Sequence, residues 1–355
     1  MNKIAILTGV TGQDGYYLSH YLLSLGYRVI GIRRRTSTSN VGRLRTLIGS
    51  PNFHIVDGDI SDLSSLQNVI QQFKPDEFYH LAAQSHVAMS WKYPVTTCEL
   101  TGLGVLNCLE AIRQIKPDTR FYFAGSSEQF GNSGSKKMDV PFSIPKFGWY
   151  ADTIHLKLDE NSVMSPESPY AAAKVFGYNI SQVYRRSFCM YTACGILFNH
   201  ESPLRGEEFV TRKITSSLAR VKWGLQECVE LGNMDAKRDW GFAGDYVRAM
   251  HAMLQLDAPD DFVIATGSSY SVRQFFDACC KWFELDPEKV YRINPEFKRP
   301  KDVEVLLGDS SKAREKLNWY PTCDFDQLVD KMCRYDFHLQ SPDPEFARRA
   351  DEFLF

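Results

Sequence analysis

Short apolar runs alternate with helical spacings through the first half of the chain. Ile4 to Thr8 is apolar and ends at a glycine-rich turn. Leu18, Leu22 and Leu25 then recur at helical spacing until Gly26 breaks the pattern. Arg28 to Ile32 predicts a second strand and Phe53 to Val56 a third. Asp62 is placed to cap a helix whose apolar face carries Leu63, Leu66, Val69, Ile70 and Phe73. Glu77 to Leu81 and Arg120 to Ala124 predict strands four and five. Strands that alternate with helices imply crossover units, because parallel neighbours need a connection that returns across the sheet face.

The second half is less regular. A Pro-Glu-Ser-Pro-Tyr stretch at 166–170 precedes a long helical pattern, and strand-like runs return at Thr192–Leu197 and Asp261–Ala265. The later chain is therefore expected to re-enter the first sheet. No internal repeat or low-complexity tract is visible.

The turn after the first strand reads Gly9-Val10-Thr11-Gly12-Gln13-Asp14-Gly15. A GxxGxxG turn between strand and helix lets the backbone approach a pyrophosphate, which the helix N-terminus holds with amide donors and its dipole. Gly9, Thr11, Gly12, Gln13, Asp14 and Gly15 are candidate cofactor contacts. The end of strand two distinguishes the dinucleotides. An acidic residue there suits the ribose hydroxyls of NAD, but this chain has Arg33-Arg34-Arg35 followed by Thr36 and Ser37. Guanidinium groups at Arg34 and Arg35 favour a 2′-phosphate, hence NADP. Asp59 and Ile60 are placed to bracket the adenine, and Leu81 and Ala83 to lie under the cofactor. The expected class is α/β: a Rossmann-type doubly wound parallel sheet with a smaller, interleaved C-terminal domain. Residues 1–190 are expected to form the NADP-binding domain, with an extra segment at 132–165. Residues 191–355 should be mainly a substrate domain, with returning strands completing the sheet.

Tyr170 and Lys174 stand four residues apart on a predicted helix and share one face. The ammonium can lower the phenol's pKa and hold a ribose, so Tyr170 can act as general base. Ser126-Ser127-Glu128 follows strand five, at the carboxyl edge of the sheet where ligands of such folds bind. A simple alcohol dehydrogenase needs only the hydroxyl, the phenol and the lysine. Glu128 adds a second proton-transfer group and points beyond plain oxidation.

Composition narrows the partners. The 355 residues carry a formal net charge of -2, which leaves no basic footprint for nucleic acid. The chain opens directly on a strand pattern, with no signal-peptide core and no apolar run long enough for a membrane. Nine cysteines form no CxxC pair. A reduced, cytoplasmic protein without a metal centre is expected.

Eight segments resemble the GDP-mannose 4,6-dehydratase family of extended short-chain dehydrogenases. They are GVTGQDGYYL, RRTSTSNVGR, LAAQSHV, SSEQFG, SPYAAAK, NHESPLRGEEFVTRKIT, LGNMDAKRDWGFAGDYVRAM and RPKDVEVLLGDSSKAREKLNW, in the family's order along almost the whole chain. The resemblance implies an NADP-dependent lyase acting on a GDP-hexose, most readily GDP-mannose. Tyr170 would take the C4 hydroxyl proton as hydride passes to NADP, and Glu128 would remove the C5 proton. Water would then leave C6, assisted by an acid in the Ser126/Glu128 region, before hydride returns. The resemblance also implies that Lys174 touches the cofactor and that Ser85, Asn199, Lys213, Arg238, Arg299 and Asp302 grip the GDP-sugar. It further implies a homo-oligomer, tetramer or dimer, with Arg34–Arg43 reaching toward a neighbouring subunit. Alternatives are a GDP-manno-heptose dehydratase, a GDP-sugar reductase or epimerase, and a non-catalytic NADP sensor.

Three departures from the family pattern stand out. Ser126 replaces a common Thr and keeps its hydroxyl. Asp302 stands where Glu is usual. The connection between Glu128 and Tyr170 is long, and Asn132–Ser165 contains Phe142, Phe147, Trp149 and Tyr150 among Pro141, Pro145 and Gly148. It reads as an ordered insertion, irregular except for a helical pattern at Thr153–Leu158. It is either a surface feature or a border of the sugar pocket.

Overall fold

Seven of the apolar runs form one parallel sheet in the computed structural model, which describes residues 2–137, 153–297 and 303–355. In chain order the strands are β1 (Ile4–Thr8), β2 (Arg28–Arg33), β3 (Phe53–Asp57), β4 (Glu77–His80), β5 (Arg120–Ala124), β6 (Thr192–Leu197) and β7 (Phe262–Ile264). Their spatial order is β7-β6-β5-β4-β1-β2-β3, and the register pairs Ile6 with Ile30 and Phe78 on its two sides. The order reverses at β1/β4, which opens a crevice at the carboxyl ends of those strands. This is the Rossmann-type doubly wound sheet, with a smaller interleaved C-terminal region.

The period of two in the strands divides the core. Ile6, Ile30, Phe78, Phe121, Phe123 and Cys194 face one side. There they meet Leu66, Leu109 and Ile112, which come from α2 (Leu63–Phe73) and α3 (Gly104–Ile115). Leu7, Val29, Tyr79, Tyr122 and Ala193 face the other side, where they meet α1 (Gln13–Ser24) and α6 (Ala243–Met253). Asp62 does cap α2: its carboxylate accepts from the Ser64 amide at 3.0 Å. Leu25 is a correction to the expected apolar face of α1. It lies just beyond the helix and is 46% exposed, because the chain turns away at Gly26.

Helix α4 (Pro169–Phe188) carries the Tyr170/Lys174 pair and starts at Ser168, whose hydroxyl accepts from the Ala171 amide at 3.1 Å. Beyond β6, α5 (Val210–Lys222), α7 (Val272–Phe283) and α8 (Phe325–Leu339) pack together. The Arg212 guanidinium on α5 and the Asp336 carboxylate on α8 form a buried pair at 2.7 Å. Arg212 also donates to the Arg205 carbonyl at 3.0 Å, tying this helical layer to the chain beside the crevice.

The long connection after β5 differs from its sequence reading at one place. Thr153–His155 is a strand, paired antiparallel with Ser135–Lys137, and not the start of a helix. A β-branched Thr-Ile pair suits a ladder better than a helical turn. The aromatic and proline positions from Pro141 to Tyr150 lie outside the described residues. The returning stem is fixed to the C-terminal region: the Leu158 amide donates to Leu307 and the Asp309 amide donates to Leu158, at 2.9 and 2.8 Å.

Candidate active site

The crevice begins with close backbone approaches. Gly9 has φ +70°, and a Cβ there would lie 2.7 Å from the Ala82 nitrogen. A Cβ on Gly15 would lie 2.4 Å from the Val10 carbonyl oxygen. Only glycine lets the turn, the strand and α1 come this close. No side chain caps the N-terminus of α1, so its first amides remain open to an anion. The Thr8 hydroxyl accepts from the Leu81 and Ala82 amides, both at 3.2 Å, and so donates to His80 Nδ1 at 3.0 Å. Burial pulls His80 down to about 3, which keeps it neutral as that acceptor. The Leu81–Ala83 backbone is thereby held against the glycine turn.

A cavity of about 340 Å³ occupies this crevice. Gly9, Thr11, Gly12, Gln13, Asp14, Gly15, Leu81, Ala83 and Ser85 line it. Ser126, Glu128, Tyr170, Lys174 and Asn199 line it as well. Fourteen of the residues singled out from sequence therefore meet at one place. Lys174 is buried and donates to the Ala124 carbonyl at 2.6 Å. Burial pulls its ammonium down to about 8, and Asp14 acts in the opposite sense. Burial pushes the Tyr170 phenol up to about 12, while a hydrogen bond with Ser126 lowers it and Glu128 raises it. The Ser126 hydroxyl, the phenol and the Glu128 carboxylate therefore form one electrostatic group.

The serine turn is held by a residue that sequence reasoning passed over. Gln129 is fully buried, and its side-chain oxygen accepts from the Ser126 amide at 2.7 Å. That oxygen takes the space a Cβ on Gly125 would need, since the two would be 2.7 Å apart. The Ser-x-x-Gln spacing is the available signal, because it is a capping box. His200 and Arg205 were also passed over, and both line the cavity. They lie inside the long segment at 199–215 that carried the family resemblance.

Other sequence candidates stand apart from this cavity. Arg34 and Arg35 are exposed just beyond β2, and Arg33 is held by Asp57 at 2.8 Å. Arg43, at the far end of that loop, donates to the Thr11 carbonyl at 3.3 Å in the same chain. The Asp59 carboxylate closes its own turn on Ser61 at 2.9 Å, and Ile60 packs against Gly104. Lys213, on the first turn of α5, lines a second cavity of about 500 Å³, where its ammonium lies 3.6 Å from the centre of the Phe297 ring. Arg238 is buried and donates to the Val303 carbonyl at 2.8 Å. The neighbouring Asp239 accepts from the Thr266 and Gly267 amides at 2.9 and 2.8 Å. Arg299 and Asp302 lie outside the described residues. Among the described residues, no three His, Cys, Asp or Glu side chains are grouped to hold a metal ion. No helix among them is long and apolar enough to cross a membrane.

Known proteins share both this fold and this sequence. The solved dTDP-glucose 4,6-dehydratase of Streptomyces venezuelae, with NAD bound, superposes with a TM-score of 0.78 at 20% identity, over 93% of this chain and 96% of that one. The dTDP-glucose 4,6-dehydratase of Bacillus anthracis, in complex with NAD, gives 0.76 at 17% identity, over 93% and 95%. By sequence, a GDP-mannose 4,6-dehydratase of Vibrio cholerae is 43% identical over 96% of this chain and 95% of its own length. One from Drosophila melanogaster is 42% identical over 97% and 88%. The family model for GDP-mannose 4,6 dehydratase matches residues 6–144 and 147–332. With a match of that extent, the chain belongs to the GDP-mannose 4,6-dehydratase family.

Proposed function

We propose that the chain converts GDP-mannose to GDP-4-keto-6-deoxymannose with NADP as its recycled cofactor. The observation that carries this reading is the convergence of Ser126, Glu128, Tyr170 and Lys174 on one cavity that the start of the uncapped helix α1 also lines. The residues present fit a dinucleotide. The glycine turn allows backbone approach, and the first amides of α1 carry no side-chain cap. Gly9, Gly12 and Gly15 would cradle the pyrophosphate, Lys174 would hold a ribose, and Arg34 and Arg35 would meet the 2′-phosphate. When bound, the cofactor supplies the hydride acceptor at C4 and the hydride donor at C6.

The chain's own groups move the protons. Tyr170 must first lose its own proton against the burial that raises it, with the Lys174 ammonium 5.8 Å from its ring centre in support; as phenolate it takes the C4 hydroxyl proton, with Ser126 placed to hydrogen-bond the same oxygen. The resulting C4 ketone acidifies C5–H, which Glu128 removes. The C6 hydroxyl then leaves as water after protonation from the Ser126/Glu128 region, and the C5–C6 double bond left behind would take hydride at C6 and a solvent-derived proton at C5. Lys213, Arg238 and Arg299 are the cations for the GDP diphosphate, with Ser85, Asn199 and Asp302 as polar contacts. Residues 1–190 mainly serve the cofactor and 191–355 mainly the sugar nucleotide. We place the protein in the cytoplasm as a homo-oligomer, supported by the exposed apolar side chains of Trp91, Val95, Leu103, Phe176 and Val183. Light scattering at micromolar concentration tests the assembly, and a fully active monomer would remove it.

The reaction is tested by following the sugar signals by NMR in deuterated water. GDP-mannose should give a 4-keto-6-deoxy product with deuterium at C5 and no net change in nicotinamide absorbance. Reduced nicotinamide accumulating in step with product would overturn the reading.

A further inference from the structure

Asp14 and His200 are 186 residues apart in sequence and meet at the edge of the cofactor crevice. His200 Nδ1 lies 2.8 Å from the Phe198 carbonyl oxygen, and Nε2 lies 2.8 Å from Asp14 Oδ2. A carbonyl oxygen can only accept, so Nδ1 carries a hydrogen. The other nitrogen faces a carboxylate oxygen, so a proton must lie between them as well. Gln13 Nε2 donates to the second carboxylate oxygen at 3.1 Å, so both oxygens of Asp14 act as acceptors. This arrangement fits an ionised Asp14 beside a doubly protonated His200, a pair with no net charge.

Asp14 stands in the first turn of α1, at the end of the helix that remains open to an anion. Helix and ligand place opposite demands on that position. A carboxylate there stabilises the helix dipole, yet it repels a diphosphate docking on the same amides. Both side chains line the cavity, and they are only 22% and 11% exposed. A bound dinucleotide would remove what water remains, so an uncompensated carboxylate would be costly.

We propose that His200 is a positioning residue that neutralises Asp14, so that the anionic pyrophosphate of a dinucleotide can dock at the N-terminus of α1. The inference rests on the functional reading above, in that it takes NADP as the ligand. The surroundings favour the charged pair. Tyr246 stacks on the His200 ring at 4.7 Å. Arg205 is the nearby cation and opposes His200, while Asp14 also acts on Lys174, Tyr170 and Tyr122. Burial pushes His200 down, but Asp14 outweighs it and the imidazole ends above its ordinary value. Burial pushes Asp14 up, but His200, then Gln13 and least of all Arg205, together outweigh it and the carboxyl ends below its own. The same junction is braced through backbone-linked contacts, since Gln13 donates to the His200 carbonyl at 3.1 Å and accepts from the Ser202 hydroxyl at 2.7 Å.

The test is the equilibrium binding of NADP to four proteins, measured by titration calorimetry without sugar nucleotide. His200→Gln keeps a donor toward Asp14 but removes the charge, and should weaken NADP on the order of 10- to 100-fold. Asp14→Asn removes the charge that needs compensation, and should lose less NADP affinity than His200→Gln. The double variant Asp14→Asn/His200→Gln should recover most of the loss, which a purely structural role for His200 would not produce. Equal affinity of His200→Gln and wild type overturns the inference, as does a double variant no tighter than His200→Gln. If His200→Gln does not fold, ring 15N signals of wild-type protein decide the matter. Both His200 nitrogens protonated at neutral pH support it, and a neutral ring overturns it. A wild type that binds no dinucleotide overturns the functional reading itself, whereas wild-type binding with indifferent variants overturns this inference alone.

Discussion

The two sides of the proposed site are built in different ways. The proposed cofactor side is made mainly of backbone from short, continuous stretches: the glycine turn at 9–15 and the loop at 81–85. The proposed sugar-nucleotide side draws on side chains from distant stretches: Asn199 at the crevice, Lys213 at the second cavity, and Arg238 buried against the Val303 carbonyl. A wall of backbone depends on small residues and strand register, so it is set as soon as the sheet forms. A wall of side chains depends on how helices α5, α7 and α8 pack, and on buried pairs such as Arg212–Asp336 that hold those helices to the chain at 203–205. Changes on the first side should alter cofactor binding. Changes on the second should alter sugar binding, and changes between the two should alter chemistry.

The largest expected effects lie between the walls. Tyr170→Phe and Glu128→Gln should each lower turnover by about 10²–10⁴-fold, but at different steps. Single-turnover absorbance should show no nicotinamide reduction in Tyr170→Phe. In Glu128→Gln, reduction should persist without dehydration. Equal hydride transfer in wild type and Tyr170→Phe would remove the phenol from its role.

Asp336→Ala probes the packing of the second wall. It leaves Arg212 buried without its carboxylate and also removes an acceptor of the Thr215 hydroxyl at 2.6 Å. The protein should lose about 3–5 kcal/mol in a denaturant titration. The KM for GDP-mannose should rise more than the Kd for NADP. Equal losses on both would mean that the two walls are not separately supported.

Lys174 offers a pH test of the burial at the first wall. Its folded pKa of about 8 is depressed from the ordinary lysine value of 10.5, so the unfolded chain binds more protons between those two values. Its contribution therefore opposes folding fully below pH 8 and fades as pH rises toward 10.5. Lys174→Met should raise the stability of the cofactor-free protein at pH 7 by about 3 kcal/mol at most, with a smaller gain at pH 10. A gain that does not shrink with pH would show that charge burial is not its source.

The smallest effect is expected at Lys213. Lys213→Gln should raise the KM for the sugar nucleotide by about 10-fold and leave NADP affinity unchanged, as read by steady-state kinetics and calorimetry. A shift in NADP affinity of the same size would place this ammonium on the cofactor side.

Strand–turn–helix order, the glycine turn, the Tyr170/Lys174 pair and the Ser126/Glu128 turn were legible in the sequence by itself. Each is local: a run of apolar residues, a helical spacing of four, or a glycine where a backbone must pass another within van der Waals distance. The return of Thr192–Leu197 to the sheet was legible for the same reason. The junction of Asp14 with His200 was not, because nothing near either residue signals the other. Only the parallel register of β1, β4, β5 and β6 brings the carboxyl ends of those strands together, and with them a carboxylate from one turn and an imidazole from another. The burial that sets Lys174 near 8 and Tyr170 near 12 was likewise decided only by tertiary structure, since a charge's cost depends on the water left around it and not on its neighbours in sequence.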